Sequence, residues 1–261
     1  IYNVSTGRID KAEALLRWNH PEYGIVSPID FIPIAERTRL ILPITDWIIH
    51  QACRTLAEWD HNEYPLTLSI NISFITINNR GEELYNLLKR ELIATGINPD
   101  RLKFEITETS LVQDTAEVIR VFIRLKELGL KLALDDFGTG YSSFGYLKAL
   151  PLDIVKIDRS LIRNLEVDNK SRMIVESMIT VLHGLDLEVI VEGIETVGQY
   201  EILESMKADA IQGYLFSKPI RISEFKEYYQ NAINDDFLPV KNRTKDDVET
   251  VLHWRNEWNS G

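Results

Sequence analysis

The chain has 261 residues, 44% of them hydrophobic, and a formal net charge of -11. That is enough to bury one large core, as α/β barrels of this size do, while the acidic balance argues against wrapping a nucleic-acid polymer, which needs a basic footprint. A lone cysteine, Cys53, provides neither a disulfide framework nor a thiolate metal cluster and suits a reducing, cytoplasmic setting, and no apolar run reaches the ~20 residues that span a bilayer.

In chain order, Ile1–Val4 reads as a short strand. Ser5-Thr6-Gly7-Arg8 supplies a tight turn, and Ile9–Trp18 follows as an antiparallel partner. Ser27 and Pro28 start a helix with Asp30 in its first turn and Phe31, Ile34 and Ala35 on one face. A longer helix covers Thr45–Asp60, with Trp47, Ile48, Cys53, Leu56 and Trp59 apolar. From Leu66 onward strands and helices alternate. Strand Leu66–Ile72 leads to helix Glu82–Thr95 with Gly96 as its cap, and strand Leu102–Thr107 to helix Ala116–Leu128 with Gly129. Strand Leu130–Asp135 precedes a short helix at Ser143–Ala149, and strand Ile154–Asp158 precedes helix Lys170–His183, closed by Gly184. Strand Glu188–Glu192, helix Val197–Met206, strand Ala210–Tyr214 and helix Ser223–Ala232 complete the pattern. Near-continuously apolar strands between capped helices predict a parallel sheet covered by helices. Eight strands predict a TIM-like (β/α)8 barrel with an antiparallel first strand. The barrel is expected over 1–233, with an appendage over 234–261 containing an amphipathic helix at Asp246–Trp258. The opening at Ile1, without Met, suggests a piece of a longer protein.

One stretch stands out chemically. Lys131–Ser143 begins as a buried strand and stops at adjacent carboxylates, Asp135 and Asp136, before the turn Gly138-Thr139-Gly140. Desolvating two like charges side by side is costly, and a divalent cation offsets it; the plain alternative is an acid pair that caps the next turn. The same event recurs. Strand C-terminal ends carry Glu13, Asn71, Glu105, Asp135 with Asp136, Lys156 with Asp158, Glu192 and Gln212. A parallel barrel gathers those ends on one face, where catalytic groups sit. Hard oxygen donors without His or Cys select Mg²⁺ or Mn²⁺ over zinc. Enough carboxylates are present for two ions, the arrangement that activates water and stabilises a leaving oxygen in phosphodiester cleavage. Lys156 can orient that water, or simply pair with Asp158 two residues on.

These residues resemble the EAL-domain cyclic di-GMP phosphodiesterases. The likeness begins at Glu13-Ala14-Leu15 followed by Leu16-Arg17-Trp18 and continues through Ser69–Ser73, Phe104–Glu108, Asp135–Ser143, Val155–Asp158, Val191–Glu195 and Gln212–Tyr214. The resemblance implies hydrolysis of cyclic di-GMP to linear 5'-pGpG with two Mg²⁺ or Mn²⁺ ions and inhibition by Ca²⁺. By motif position it makes Glu13, Asn71, Glu105, Asp135 and Asp136 metal ligands, and has Lys156 and Glu192 hold or deprotonate the attacking water. Glu192 is the better base, since a lysine must first lose its proton. Leu15, Arg17, Asp158 and Gln212 would face the substrate, with Arg17 as a cationic fork on phosphate. Glu108 would steady the Asp136–Ser143 loop, close to a homodimer contact, and Glu195 would orient neighbours or merely begin the next helix. It also leaves room upstream for a sensor or GGDEF-type domain and a membrane anchor.

Two departures stand beside the likeness. The Gln-Pro pair that usually precedes Ile1 lies outside the sequence, and Arg37-Thr38-Arg39 replaces a stretch that usually carries an acid and a glycine. His20 reads as loop-shaping, and His50, His61, His183 and His253 as helix residues without metal spacing. Gly138 and Gly140 read as flexibility in a loop rather than a phosphate cradle. Three functions compete: an active phosphodiesterase, a catalytically silent cyclic di-GMP receptor, and a Mg²⁺-dependent enzyme abstracting protons beside a carboxylate with Lys156 as base. Silent receptors typically lack the first Glu, an Asp of the pair or the loop Glu; all are present here.

Overall fold

The computed structural model describes residues 1–62, 64–108, 115–140 and 144–234. The predicted tail helix at 246–258 lies outside them, as do residues 141–143 of the loop after Asp136.

Eleven strands form a nine-stranded sheet and a separate hairpin. The strands are β1 (Tyr2–Asn3), β2 (Arg8–Ile9), β3 (Lys11–Ala14), β4 (Trp18–His20), β5 (Gly24–Val26), β6 (Thr67–Asn71) and β7 (Leu102–Thr107). They continue as β8 (Lys131–Phe137), β9 (Ile154–Ile157), β10 (Glu188–Glu192) and β11 (Ala210–Gln212). The order in the large sheet is β2-β1-β11-β10-β9-β8-β7-β6-β3. Its two ends, β2 and β3, are separated in the chain by Asp10 alone, so a bent segment joins them and the barrel is nearly closed. β1 runs antiparallel to β11, and β3 and β6 through β11 form parallel pairs. The TIM-like barrel with an antiparallel first strand is therefore what the chain adopts.

Helices α1 (Pro28–Arg37), α2 (Ile41–His61), α3 (Phe74–Thr95) and α4 (Thr115–Glu127) precede β8. After it come α5 (Phe144–Ala149), α6 (Arg159–Ile162), α7 (Asn169–His183), α8 (Val197–Ser205) and α9 (Ile222–Asn234). The main core lies between strands and helices, where Phe104, Ile106, Val155, Ile157, Val189 and Val191 point outward into it. A small second cluster, Ala133, Ile154, Ile190 and Ala210, fills one side of the barrel interior.

Several sequence expectations need correction. The predicted strand Ile9–Trp18 is three pieces, because Arg8–Ile9 pairs with β1 while Lys11–Ala14 pairs with β6, and Trp18 enters the hairpin with β5. Helix α3 starts at Phe74, eight residues before Glu82, capped by the Ser73 hydroxyl. A non-helical Arg80 kinks it, held by Asp46, and this break hides the continuity from a periodicity reading. Ile34 and Trp47 are exposed rather than packed. Gly96 adopts the left-handed cap, whereas Gly184 is right-handed and ends α7 without it. His50 pairs with Glu91 and His183 with Asp209. The His20 ring accepts from the Glu22 and Tyr23 amides, as a loop-shaping residue does.

Candidate active site

Strand alternation builds the site. On the inward face Lys11, Ser69, Lys103, Ala133, Ile154, Ile190 and Ala210 form one layer of the barrel. Two residues further along each strand stand Glu13, Asn71, Glu105, Asp135, Lys156, Glu192 and Gln212. Most of the polar residues noted in the sequence therefore form one ring at the C-terminal mouth, the catalytic end of such barrels.

Lys156, with its side chain 1% exposed, stands at the centre. Its ammonium lies 2.7 Å from Glu105, 2.7 Å from Glu192, 3.2 Å from Glu13 and 3.3 Å from Asp135. It does not pair with Asp158; that carboxylate accepts the Ser160 amide at 2.9 Å and caps α6. Glu13 also accepts from Asn71 Nδ2 at 2.9 Å and from Gln212 Nε2 at 2.7 Å.

Asp135 and Asp136 would point to opposite faces of a regular strand. Here β8 shifts register against β9 between Leu134 and Phe137, and Asp136 takes a positive φ of 56°. This bulge turns both carboxylates to the mouth. One oxygen each from Glu13, Glu105 and Asp135 lie within 4.8 Å of one another, and so do one each from Asp135, Asp136 and Glu192. Two three-carboxylate clusters thus share Asp135. Nothing in the sequence announces the bulge, because aspartate tolerates the left-handed region without a marker residue.

The charge of this ring is unbalanced. Glu13, Glu105, Asp135, Asp136 and Glu192 carry five negative charges when ionised, and Lys156 supplies one positive charge, leaving four. Burial pushes the Glu105 carboxyl up to about 8 and Glu192 up to about 7, with Lys156 opposing the rise and neighbouring acids adding to it. Burial and the Asp135 charge also raise Asp136. Glu13 goes the other way: burial would raise it, but Lys156, Gln212 and Asn71 together hold it below the usual range. Burial alone would lower Lys156, yet Glu105, Glu13, Glu192 and Asp135 hold it well above a free lysine. An ammonium held so firmly is a poor base, which counts against proton abstraction by Lys156.

The donor set fits hard divalent cations. Its atoms are carboxylate and amide oxygens, and Glu105 Oε1 and Gln212 Oε1 are buried without a hydrogen-bond partner. Two divalent ions would cancel the four residual charges.

The remaining expected residues stand around this ring. Glu108 is 2% exposed and accepts the Gly138 amide at 2.8 Å. A Cβ on Gly140 would lie 2.6 Å from Glu108 Oε1, so the second glycine is required by close approach rather than by flexibility alone. Gly138, with φ of 100°, needs the left-handed region as well. Leu15 and Arg17 are exposed past the end of β3, with the Arg17 guanidinium on the Leu16 carbonyl at 2.9 Å. Neither is among the side chains that converge on Lys156. Glu195 is exposed just before α8, where its amide donates to Gln199 at 2.8 Å. Sequence reading included Gly213 in the likeness at Gln212–Tyr214 but gave it no role: a Cβ there would meet the Ile194 carbonyl oxygen at 2.1 Å.

The EAL domain family model matches residues 1–219. A cyclic di-GMP phosphodiesterase of Pseudomonas aeruginosa is 37% identical over 228 residues, 87% of this chain and 38% of that protein. The cyclic di-GMP phosphodiesterase NbdA of the same organism is 35% identical over 241 residues, 92% of this chain and 31% of its own. The chain thus spans well under half the length of these relatives. Among solved structures, the EAL enzyme Bd1971 with cAMP and cyclic di-GMP bound superposes with a TM-score of 0.81 at 36% identity, covering 87% of this chain and 62% of that one. The PaMucR phosphodiesterase in complex with c-di-GMP gives 0.76 at 34%, covering 82% and 86%.

Proposed function

The chain belongs to the EAL domain family, and on that premise we propose that it hydrolyses cyclic di-GMP to linear 5'-pGpG with the help of two Mg²⁺ or Mn²⁺ ions, Ca²⁺ being inhibitory. The observation that carries this reading is the pair of three-carboxylate clusters sharing Asp135. Glu13, Asn71, Glu105, Asp135 and Asp136 would hold the ions. Bound there, the ions would supply Lewis acidity towards the phosphodiester and lower the pKa of the attacking water.

The chain's own groups account for the rest. Lys156, fixed by carboxylates and fully protonated, holds the water by donation and offsets charge growing on the phosphate. Glu192, whose carboxyl sits near 7 before the ions bind, would be ionised beside them and take the water's proton. Gln212 keeps Glu13 aimed inward. Arg17, free to leave the Leu16 carbonyl at the exposed rim, grips a substrate phosphate, while Leu15 packs on the ligand and Asp158, whose charge reaches Asp136, faces the substrate. Glu108 ties the loop at Gly138 to the strand carrying Glu105, a link suited to passing homodimer geometry to the site. A sensor or GGDEF-type domain in the longer protein would act through that link. No helix among the described residues is long and apolar enough to cross a membrane.

The test mixes the purified chain with cyclic di-GMP and Mn²⁺ and follows linear product by chromatography, with Glu13→Ala alongside. Product from the wild type and none from Glu13→Ala is expected. Binding without turnover would favour the silent receptor, and neither would favour a different substrate class.

A further inference from the structure

At the pole opposite the acid ring, the N-terminal ends of the strands enclose a cavity of about 430 Å³ lined by Thr67, Arg101, Lys103, Lys131, Asp153 and Glu188 among others. We propose that this cavity is a second binding site, taking a small inorganic oxyanion of the phosphate type on the Lys103 ammonium and the Thr67 hydroxyl.

The argument rests on which cations are already matched. Lys11, buried on the same inward layer, lies 2.9 Å from Asp10 and 3.1 Å from Glu188. Arg101 pairs with Asp60 and donates to the Leu66 and Tyr64 carbonyls, each at 2.8 Å. Lys131 and Lys126 both engage Asp153, two cations on one carboxylate. Lys103 differs. It is 5% exposed, lines the cavity, and makes no hydrogen bond or ion pair among the described residues; Glu188, Asp10 and Glu105 favour its charge only from a distance, Lys11 opposes it, and burial outweighs them. An ammonium on so buried a side chain without a bonded partner is costly, and the cavity is the side from which an anion or water can reach it. Thr67, on the neighbouring strand, lines the same cavity with a buried hydroxyl that also lacks a partner. Two unmatched donors in a space large enough for a hydrated oxyanion define an anion site. The exposed rim acids Asp100 and Asp186 select a small ion over a large polyanion and keep the affinity modest.

Inorganic phosphate is titrated into the chain stripped of divalent ions with EDTA, at constant ionic strength, while thermal unfolding is followed. The melting midpoint should rise saturably, by roughly 3–6 °C at ten times the dissociation constant. Lys103→Met and Lys103→Gln should remove the rise and, without phosphate, melt no lower than the wild type, because each deletes a charge whose burial outweighs the help of the distant acids. Absence of a saturable rise in the wild type, or an equal rise in either variant, overturns the site. In the wild type itself, lysine-selective NMR should show one buried ammonium signal moving with phosphate; a spectrum unmoved by phosphate also overturns it.

Discussion

Replacing Lys156 by Met keeps the side chain's length and apolar volume but deletes the charge on which Glu13, Glu105, Asp135 and Glu192 converge. Two consequences of opposite kind follow. Without metal, four buried carboxylates lose their shared cation, and breaking such a buried pairing costs about 3–5 kcal/mol, or roughly 6–20 °C in melting midpoint for a chain of this size. With Mg²⁺ or Mn²⁺ present, the same acids bind cations without competition from an ammonium, so the ions should stabilise the variant more than the wild type. Catalysis should not recover, because the donor proposed to hold the water is gone: kcat should fall about 10²–10⁴-fold, equivalent to ~2.7–5.5 kcal/mol of barrier, while affinity for cyclic di-GMP should stay close to that of the wild type. The assays are steady-state hydrolysis in saturating Mn²⁺ and calorimetric ligand binding. A rate within tenfold of wild type, or loss of ligand affinity in place of rate, would refute the water-holding role.

Protonation of the ring gives a second expectation. Glu105 and Glu192 are raised to about 8 and about 7, so the folded, metal-free chain retains protons that the unfolded chain has already released near pH 5. Its stability should fall as pH rises from about 5 to 8, by up to ~1.4 kcal/mol per pH unit for each group. Metal binding should expel these protons; titration of Mn²⁺ near pH 7 in buffers of different ionisation enthalpy should show net release, and heats independent of buffer would contradict it. Gly213→Ala drives a Cβ into the Ile194 backbone, where the Ile194 amide donates to the Gln212 carbonyl at 3.1 Å and its carbonyl accepts from Leu215 at 3.0 Å. We expect a loss of about 3 kcal/mol and displacement of Gln212 from Glu13, read as a lower midpoint together with weaker metal binding. Arg39, exposed with φ of 61°, occupies the left-handed region that L residues enter at a cost. Arg39→Gly should raise stability by about 1 kcal/mol, and a fall in midpoint would show that the arginine side chain has compensating contacts.

The inward ring was legible in the sequence because chemistry and periodicity agreed. A strand ending in an acid, repeated in a parallel sheet, can place its acids only at one mouth, and Glu13, Glu105, Asp135 and Glu192 follow from that alone. Features carried by the backbone were not legible. The bulge that brings Asp136 beside Asp135, the split of the second predicted strand at Asp10, and the kink at Arg80 each depend on pairing across the barrel. Trp47 and Ile34 misled for the complementary reason, since an apolar residue on a helix reads as core until the neighbouring element is known to leave it uncovered. The Lys156–Asp158 pairing failed because the strand ends at Ile157, one residue short of the alternation it required.

Anomalous scattering from crystals soaked in Mn²⁺ tests the acid ring as a metal cage most directly. Two peaks are expected, one reached by Glu13, Asn71, Glu105 and Asp135 and the other by Asp135 and Asp136 with the Glu192 carboxylate close by. A map without density among those oxygens, from crystals that still diffract, would contradict it.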